Sequence, residues 1–157
     1  MREIKFRALD VSSKRMIRPD QICRLHFKDG ETCCVFLWDS DLILDYELMQ
    51  YTGRHDNTKW EQISGKEQEA WLKQGKTKEQ WNGKEIYEGD IVKPRGGNAL
   101  YVVYYDERAC QYRLCANDDR QFDKTHVLDF AEQVIGNIHE NPELMEEEQE
   151  NGRMRLL

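Results

Sequence analysis

Residues 4–8, Ile4-Lys5-Phe6-Arg7-Ala8, alternate apolar and basic side chains, the period-two pattern of a half-buried strand. The polar stretch Asp10-Val11-Ser12-Ser13-Lys14 then turns the chain, and Arg15-Met16-Ile17 returns as the second arm of a hairpin. In the next strand Cys23, Leu25 and Phe27 share one face, and Arg24 and His26 the other. Asp29-Gly30 follows at once. Both residue types tolerate positive φ, so the pair predicts a tight hairpin turn. Thr32 to Trp38 is apolar on both faces, which predicts a central strand covered on both sides. Leu42 to Tyr51 supply one more strand or a strand pair, and Thr52 to Asn57 reads as a polar loop.

The pattern then changes. Ser64-Gly65-Lys66-Glu67 has the form of a capping box, in which the serine accepts from the backbone at Glu67 and the glutamate reaches back. A helix over 67–74 follows, with Trp71 on its inner face and Gly75 as its stop. Thr77-Lys78-Glu79-Gln80 repeats the pattern over one short turn that carries Trp81. Helices this short are marginal alone, so Trp60, Trp71 and Trp81 are expected to anchor the insert on the sheet. An aromatic platform for a ligand is the other use of such a cluster.

Strand signals return after the turn dipeptide Asn82-Gly83. Lys84-Glu85-Ile86-Tyr87, Ile91-Val92-Lys93, Leu100 to Tyr105, Tyr112 to Cys115, Val127 to Phe130 and Val134-Ile135 succeed one another with turns between. Short strands at this spacing predict a small barrel. Along Leu100 to Tyr105, Leu100, Val102 and Tyr104 face one way and Tyr101, Val103 and Tyr105 the other. Asn141-Pro142-Glu143 suits a helix start. The organisation expected is a β-rich part over 1–58, a helical insert over 59–81, a barrel over 82–140 and an acidic tail over 141–157.

Charge narrows the choice of function. The 157 residues carry a net charge of −7, so a broad electrostatic grip on DNA is not expected. From Glu140 onward six acids face two bases; such an end is either a solvated, frayed terminus or an arm for a basic partner. No run approaches the ~18 apolar residues of a membrane span, and Met1-Arg2-Glu3-Ile4-Lys5 lacks the form of an export signal. A cytoplasmic protein is therefore expected, with no membrane contact. Cys23, Cys33, Cys34, Cys110 and Cys115 are odd in number and are read as reduced thiols. Cys110 and Cys115 have no second cysteine pair or histidines at zinc-site spacing, so neither a metal nor a cofactor is expected.

No phosphate loop, zinc-protease helix or nucleophile elbow occurs, and no catalytic residue is assigned. Glu88, Asp90 and Asp106 are acids that a metal-dependent enzyme acting on nucleotides or nucleic acid would need to bring together. Glu88-Gly89-Asp90 also reads simply as a turn. Arg2, Lys5 and Arg7, with Lys14, Arg15 and Arg18, form a local basic cluster suited to phosphate or an acidic surface, or an ordinary solvated sheet face.

Four segments together resemble the YopX family of phage and prophage proteins. They are Met1-Arg2-Glu3-Ile4-Lys5-Phe6-Arg7-Ala8, Leu48-Met49-Gln50-Tyr51-Thr52-Gly53, Gly83-Lys84-Glu85-Ile86-Tyr87-Glu88-Gly89-Asp90-Ile91-Val92, and Val134-Ile135-Gly136-Asn137-Ile138-His139-Glu140-Asn141-Pro142-Glu143-Leu144. Leu9 and His139 depart mildly from that pattern, and residues 57–81 look like an elaboration of it. The resemblance implies a small, mostly β, phage-encoded protein and assigns no catalytic or ligand residue. Glu88 to Val92 is also similar to the entry of an SH3-like barrel.

The fold expected is mainly β: an N-terminal antiparallel β-rich part with a short helical insert, then a small SH3-like β-barrel. The function expected is that of an accessory binding module for another protein, with Tyr101, Tyr104, Tyr105 and Tyr112, and the basic residues Arg2, Lys5 and Arg7, as candidate contacts. A metal-dependent enzyme and a direct nucleic-acid binder are the alternatives. The strand from Leu100 to Tyr105, apolar on both faces, also predicts a homo-oligomer.

Overall fold

The structure, a computed structural model, describes residues 3–116 and 119–147, and for Cys33 the backbone alone. It is mainly β, with three antiparallel sheets, one curled into a half-barrel. The chain divides into two compact units, Met1–Tyr51 and Thr52–Leu157.

In the first unit β1 (Phe6–Asp10) and β2 (Arg15–Ile17) form the expected hairpin, with Ala8 opposite Ile17. The Asp10 carboxylate holds the turn, accepting from the Ser12 amide at 3.1 Å and the Ser13 hydroxyl at 2.8 Å. The next sheet has the order β3 (Ile22–Lys28), β4 (Glu31–Leu37), β5 (Leu42–Ile43). Asp29 and Gly30 both have positive φ, +54° and +81°, and join β3 to β4 as their residue types require. Two irregularities in register, between Ile22 and Arg24 and between His26 and Phe27, break the expected face of β3. Ile22 and Leu25 turn toward the core while Cys23 and Phe27 are exposed.

β4 is the central strand, and its Cys34, Val35 and Leu37 are buried. Its Phe36 is shielded by a guanidinium instead of a second layer, with Arg24 lying 4.1 Å from the ring. Ala8, Ile17, Val35, Leu37 and Ile43 form the core of this unit. β6 (Tyr46–His55) pairs with β1 through Tyr46 to Gln50, and its last residues belong to the second unit.

The segment from Thr52 to Asn57 is not a polar loop. β6 runs on to His55, and Thr52 and Asp56 are buried. Their polarity is spent on backbone partners, which is why composition alone hides their burial. The Thr52 hydroxyl donates to the Ile86 carbonyl at 2.7 Å. Asp56 Oδ1 accepts from the amides of Thr58 (2.9 Å) and Lys84 (2.7 Å). Its Oδ2 accepts from the Thr58 hydroxyl (2.7 Å) and the Val134 amide (2.8 Å). The Asn57 amide adds a bond to the Glu132 carbonyl. One carboxylate thus ties three distant stretches of the second unit together. It also occupies the open edge of β12 (Ala131–Asn137), a strand edge that would otherwise present unpaired groups.

α1 (Gly65–Lys73) begins as its capping box predicts, with the Glu67 amide donating to the Ser64 hydroxyl at 3.2 Å. No residue of α1 is buried. The tryptophans pack edge-on against one another, Trp60 to Trp81 at 6.0 Å and Trp71 to Trp81 at 5.1 Å. Trp81 Nε1 donates to the Thr58 carbonyl and Trp71 Nε1 to that of Thr77. The insert is held by this small cluster and by buried Ile63.

β7 (Glu85–Tyr87) leads into the five-stranded sheet, made of β8 (Asp90–Pro94), β9 (Tyr101–Asp106), β10 (Gln111–Cys115), β11 (His126–Val127) and β12. The order is β11-β10-β9-β8-β12: the first of the five strands lies between the second and the last. A single 310 turn, Leu128–Phe130, links β11 to β12. This is the SH3-like arrangement, realised as a half-barrel around Ile86, Val92, Val103, Tyr112, Leu114 and Leu128.

Two of the segments that resemble YopX proteins, residues 83–92 and 134–144, meet beside this sheet. The Gly89 amide donates to the Val103 carbonyl, the Ile138 amide to that of Gly89, and Asn137 Oδ1 accepts from the amides of His139 and Glu140. A helical turn at 143–147 follows Pro142, as expected. The rest of the acidic tail lies outside the described residues.

Candidate binding groove

β9 and β10 pair in register, Tyr105 opposite Tyr112 and Tyr104 opposite Arg113. Alternation therefore sends these two pairs to opposite faces of the sheet. Tyr112 is buried in the half-barrel core, and Tyr105 meets it edge-on at 5.1 Å while staying 42% exposed.

On the other face the segment after β10 folds back over the sheet. Arg120 lies over the Tyr104 ring at 4.9 Å, and Arg113 is covered by the Phe122 ring at 4.1 Å. Arg113 is a buried cation satisfied by one residue. Its Nε donates to the Thr125 hydroxyl (2.8 Å) and its Nη2 to the Thr125 carbonyl (3.2 Å). Phe122 caps it and remains 59% exposed.

The turn between the strands is rigid. Asp106 Oδ1 accepts from the amides of Arg108 (3.0 Å) and Ala109 (3.1 Å), and Cys110 sits at φ +51°. Together the turn and the returning segment enclose a groove of about 840 Å³, lined by Tyr104, Tyr105, Asp106 to Ala109 and Arg120 to Phe122. That volume lies within the range of sites that take small ligands or anchoring side chains, roughly 300–1,000 Å³. Arg108 has no ion-pair partner among the described residues.

Glu88 faces Arg120 electrostatically. Burial raises its carboxyl above the usual carboxylate range, and Arg120 offsets only part of that. The folded state therefore holds the Glu88 proton more tightly than the unfolded chain does. Stability is lost as pH rises through the folded value, so the ionised group is a burden near neutrality. Glu88→Gln is expected to raise the melting temperature at pH 7 by about 1–2 °C. The gain should shrink as pH falls through the carboxylate range. Thermal melts across that range check it, and a gain that grows on acidification would contradict the assignment.

The structure places the other expected residues elsewhere. Tyr101 is half-buried and meets His126 edge-on at 5.1 Å. In the first unit Lys5 pairs with Glu3 at 3.5 Å and lies over the Tyr51 ring at 4.5 Å, and Arg7 is half-buried with an enclosed Nε. Arg18 is paired with Asp20 at 3.1 Å. Arg2 lies outside the described residues. Asp90 is buried and accepts from the Tyr87 amide at 2.8 Å, while Asp106 is committed to its turn. Among the described residues no three of the acids, histidines and cysteines gather as metal ligands would. Cys23 and Cys110 are exposed, and Cys34 and Cys115 are buried.

A second hollow, of about 380 Å³, lies beside Trp60 and Trp81 and is bridged by the Glu61–Lys78 ion pair at 3.7 Å. Sequence reasoning missed Arg108, Arg120 and Phe122, which lie in a turn and an irregular segment without periodicity. The only local signal was an exposed-type cluster of arginine and phenylalanine beside an aromatic strand.

The fold defines a mainly β protein whose second unit is an SH3-like half-barrel with a groove at the end of its central hairpin. Residues 77–146 form a YopX family domain, matching the model described as YopX protein. Two of the four resembling segments lie inside that match and two precede it. No curated protein matches the chain. Among solved structures, protein EF1440 from Enterococcus faecalis shares the fold, with a TM-score of 0.52 and 22% identity, covering 92% of this chain and 99% of that one. Among the described residues no helix is long and apolar enough to cross a membrane.

Proposed function

We propose that the protein is a binding module that takes a protein partner in this groove, as an accessory protein of phage or prophage origin acting in the host cytoplasm. The observation that carries the reading is the exposed Phe122 ring, set with two arginines, Arg108 and Arg120, and the Tyr104 ring around one concavity. Aromatic and arginine side chains are the residue types that dominate interface energetics. The phage origin rests on the YopX resemblance, and the odd number of cysteines suits a reducing compartment. The metal-enzyme reading lacks such support, because Asp90 and Asp106 are each occupied by backbone amides. A net charge of −7 opposes direct nucleic-acid binding.

The test is co-purification from the natural host with wild-type protein and with Phe122→Ser. A partner held through this ring should be recovered at least about tenfold less well with the variant. Undiminished recovery of every partner would refute the groove.

A further inference from the structure

The first unit carries an exposed feature that its fold does not use. Between β4 and β5 the chain turns through Trp38-Asp39-Ser40-Asp41, and Leu44 follows β5. The backbone there is pinned. The Leu37 amide donates to the Asp41 carbonyl, the Ser40 amide to that of Leu37, and the Trp38 amide to that of Gln21. Yet Trp38 is 70% exposed, Leu44 71% and Leu42 49%. Asp39, Asp41 and Asp45 are interspersed with them, and none has an ion-pair partner among the described residues. A backbone-bonded loop that holds a tryptophan and a leucine in water, beside carboxylates that make no ion pair among the described residues, has the form of an anchor for a basic, aromatic-lined recess.

The groove of the second unit is such a recess. Arg108, Arg120, Tyr104 and Phe122 line it, and the Phe122 ring is 59% exposed. Its volume of about 840 Å³ is ample for an indole and an isobutyl group. We propose that a second copy of the chain is an occupant of the groove, inserting its Trp38 and Leu44 against the Phe122 ring with Asp41 and Asp45 against the arginines. The contact joins two unlike surfaces, so each copy keeps one free tip and one free groove, and assembly grows head to tail into a ring or an open chain. An interface confined to one tip and one groove falls in the small, reversible class. The inference rests on the groove being a binding site and adds the identity of an occupant.

Two variants separate the halves of the contact. Trp38→Ser/Leu44→Ser removes the tip and leaves the groove, while Arg108→Glu/Arg120→Glu reverses the groove and leaves the tip. All four side chains are exposed, so both variants should fold. In sedimentation velocity, wild-type mass should rise over a roughly hundredfold range around micromolar concentration, where small interfaces dissociate. Each variant alone should stay monomeric. Their equimolar mixture should give a one-to-one dimer and nothing larger, since only one tip and one groove remain. A monomeric wild type, a variant that assembles as wild type does, or a mixture without dimer would each overturn the proposal. The Phe122→Ser co-purification decides the groove separately, so loss of self-association with a partner still groove-dependent would strike this inference alone.

Discussion

Replacing Asp56 by alanine should destabilise the second unit by about 4 kcal/mol, near the upper end of single-residue effects. The carboxylate is buried and accepts four hydrogen bonds, from the amides of Thr58, Lys84 and Val134 and from the Thr58 hydroxyl. Bonds to a charged acceptor are worth roughly 1.5–3 kcal/mol each, but they share one group and do not add. The larger cost is what alanine leaves behind, part-buried amides at Lys84 and Val134 with no acceptor. The edge of β12 also loses the group that covers it, so the unfolded and partly open chains should aggregate more readily. Asp56→Asn should lie between, because one carbonyl oxygen can still serve one pair of amides while the amide nitrogen meets the other donors head-on. Urea denaturation of the three proteins checks the order. A loss below about 1 kcal/mol for alanine would mean that solvent or a neighbour replaces the carboxylate.

Gly83→Ala should cost about 3 kcal/mol or more, for two separable reasons. Gly83 adopts φ +104°, a backbone conformation that L side chains rarely take. A Cβ there would also overlap the carbonyl oxygen of Asp56, a backbone atom that cannot swing aside. Gly30→Ala isolates the first reason. Gly30 has φ +81° with nothing within 4 Å of a Cβ, so its cost should be limited to about 1 kcal/mol. Thermal melts of the two variants should differ by several degrees at least. Equal losses would remove the close approach from the account. The double variant Asp56→Ala/Gly83→Ala should lose less than the sum, since both changes open the same joint.

Much of the architecture was legible residue by residue because the responsible interactions are local. Asp29-Gly30 turns where its tolerance of positive φ says it should, and Ser64 caps α1 through a bond to an amide three residues on. Short alternating runs after Asn82 were enough to foresee a small barrel, since period two and turn spacing leave few other folds. Four segments taken together were enough to see a resemblance to YopX proteins, and residues 77–146, which hold two of them, match that family's model.

The rest depended on contacts between residues far apart in the chain. Thr52 to Asn57 looked like a loop because threonine and aspartate are usually solvated. Their burial is tolerable only where Ile86, Lys84 and Val134 supply partners, and those lie 34, 28 and 78 residues away. β3 was given one apolar face by simple alternation, but two irregularities in its pairing with β4 exposed Phe27 and turned Ile22 and Leu25 inward together.

The same dependence governs the groove. Alternation correctly put Tyr104 and Tyr105 on opposite faces, but could not say which face the core would take or that residues 119–125 would fold over the other. That return covers Tyr104 with Arg120 and Arg113 with Phe122. The sequence by itself determined the turns, the helix cap and most of the strands, because backbone preference and periodicity are short-range properties. Tertiary structure alone decided which polar groups are buried and which aromatics meet solvent, because desolvation depends on everything that packs around a residue.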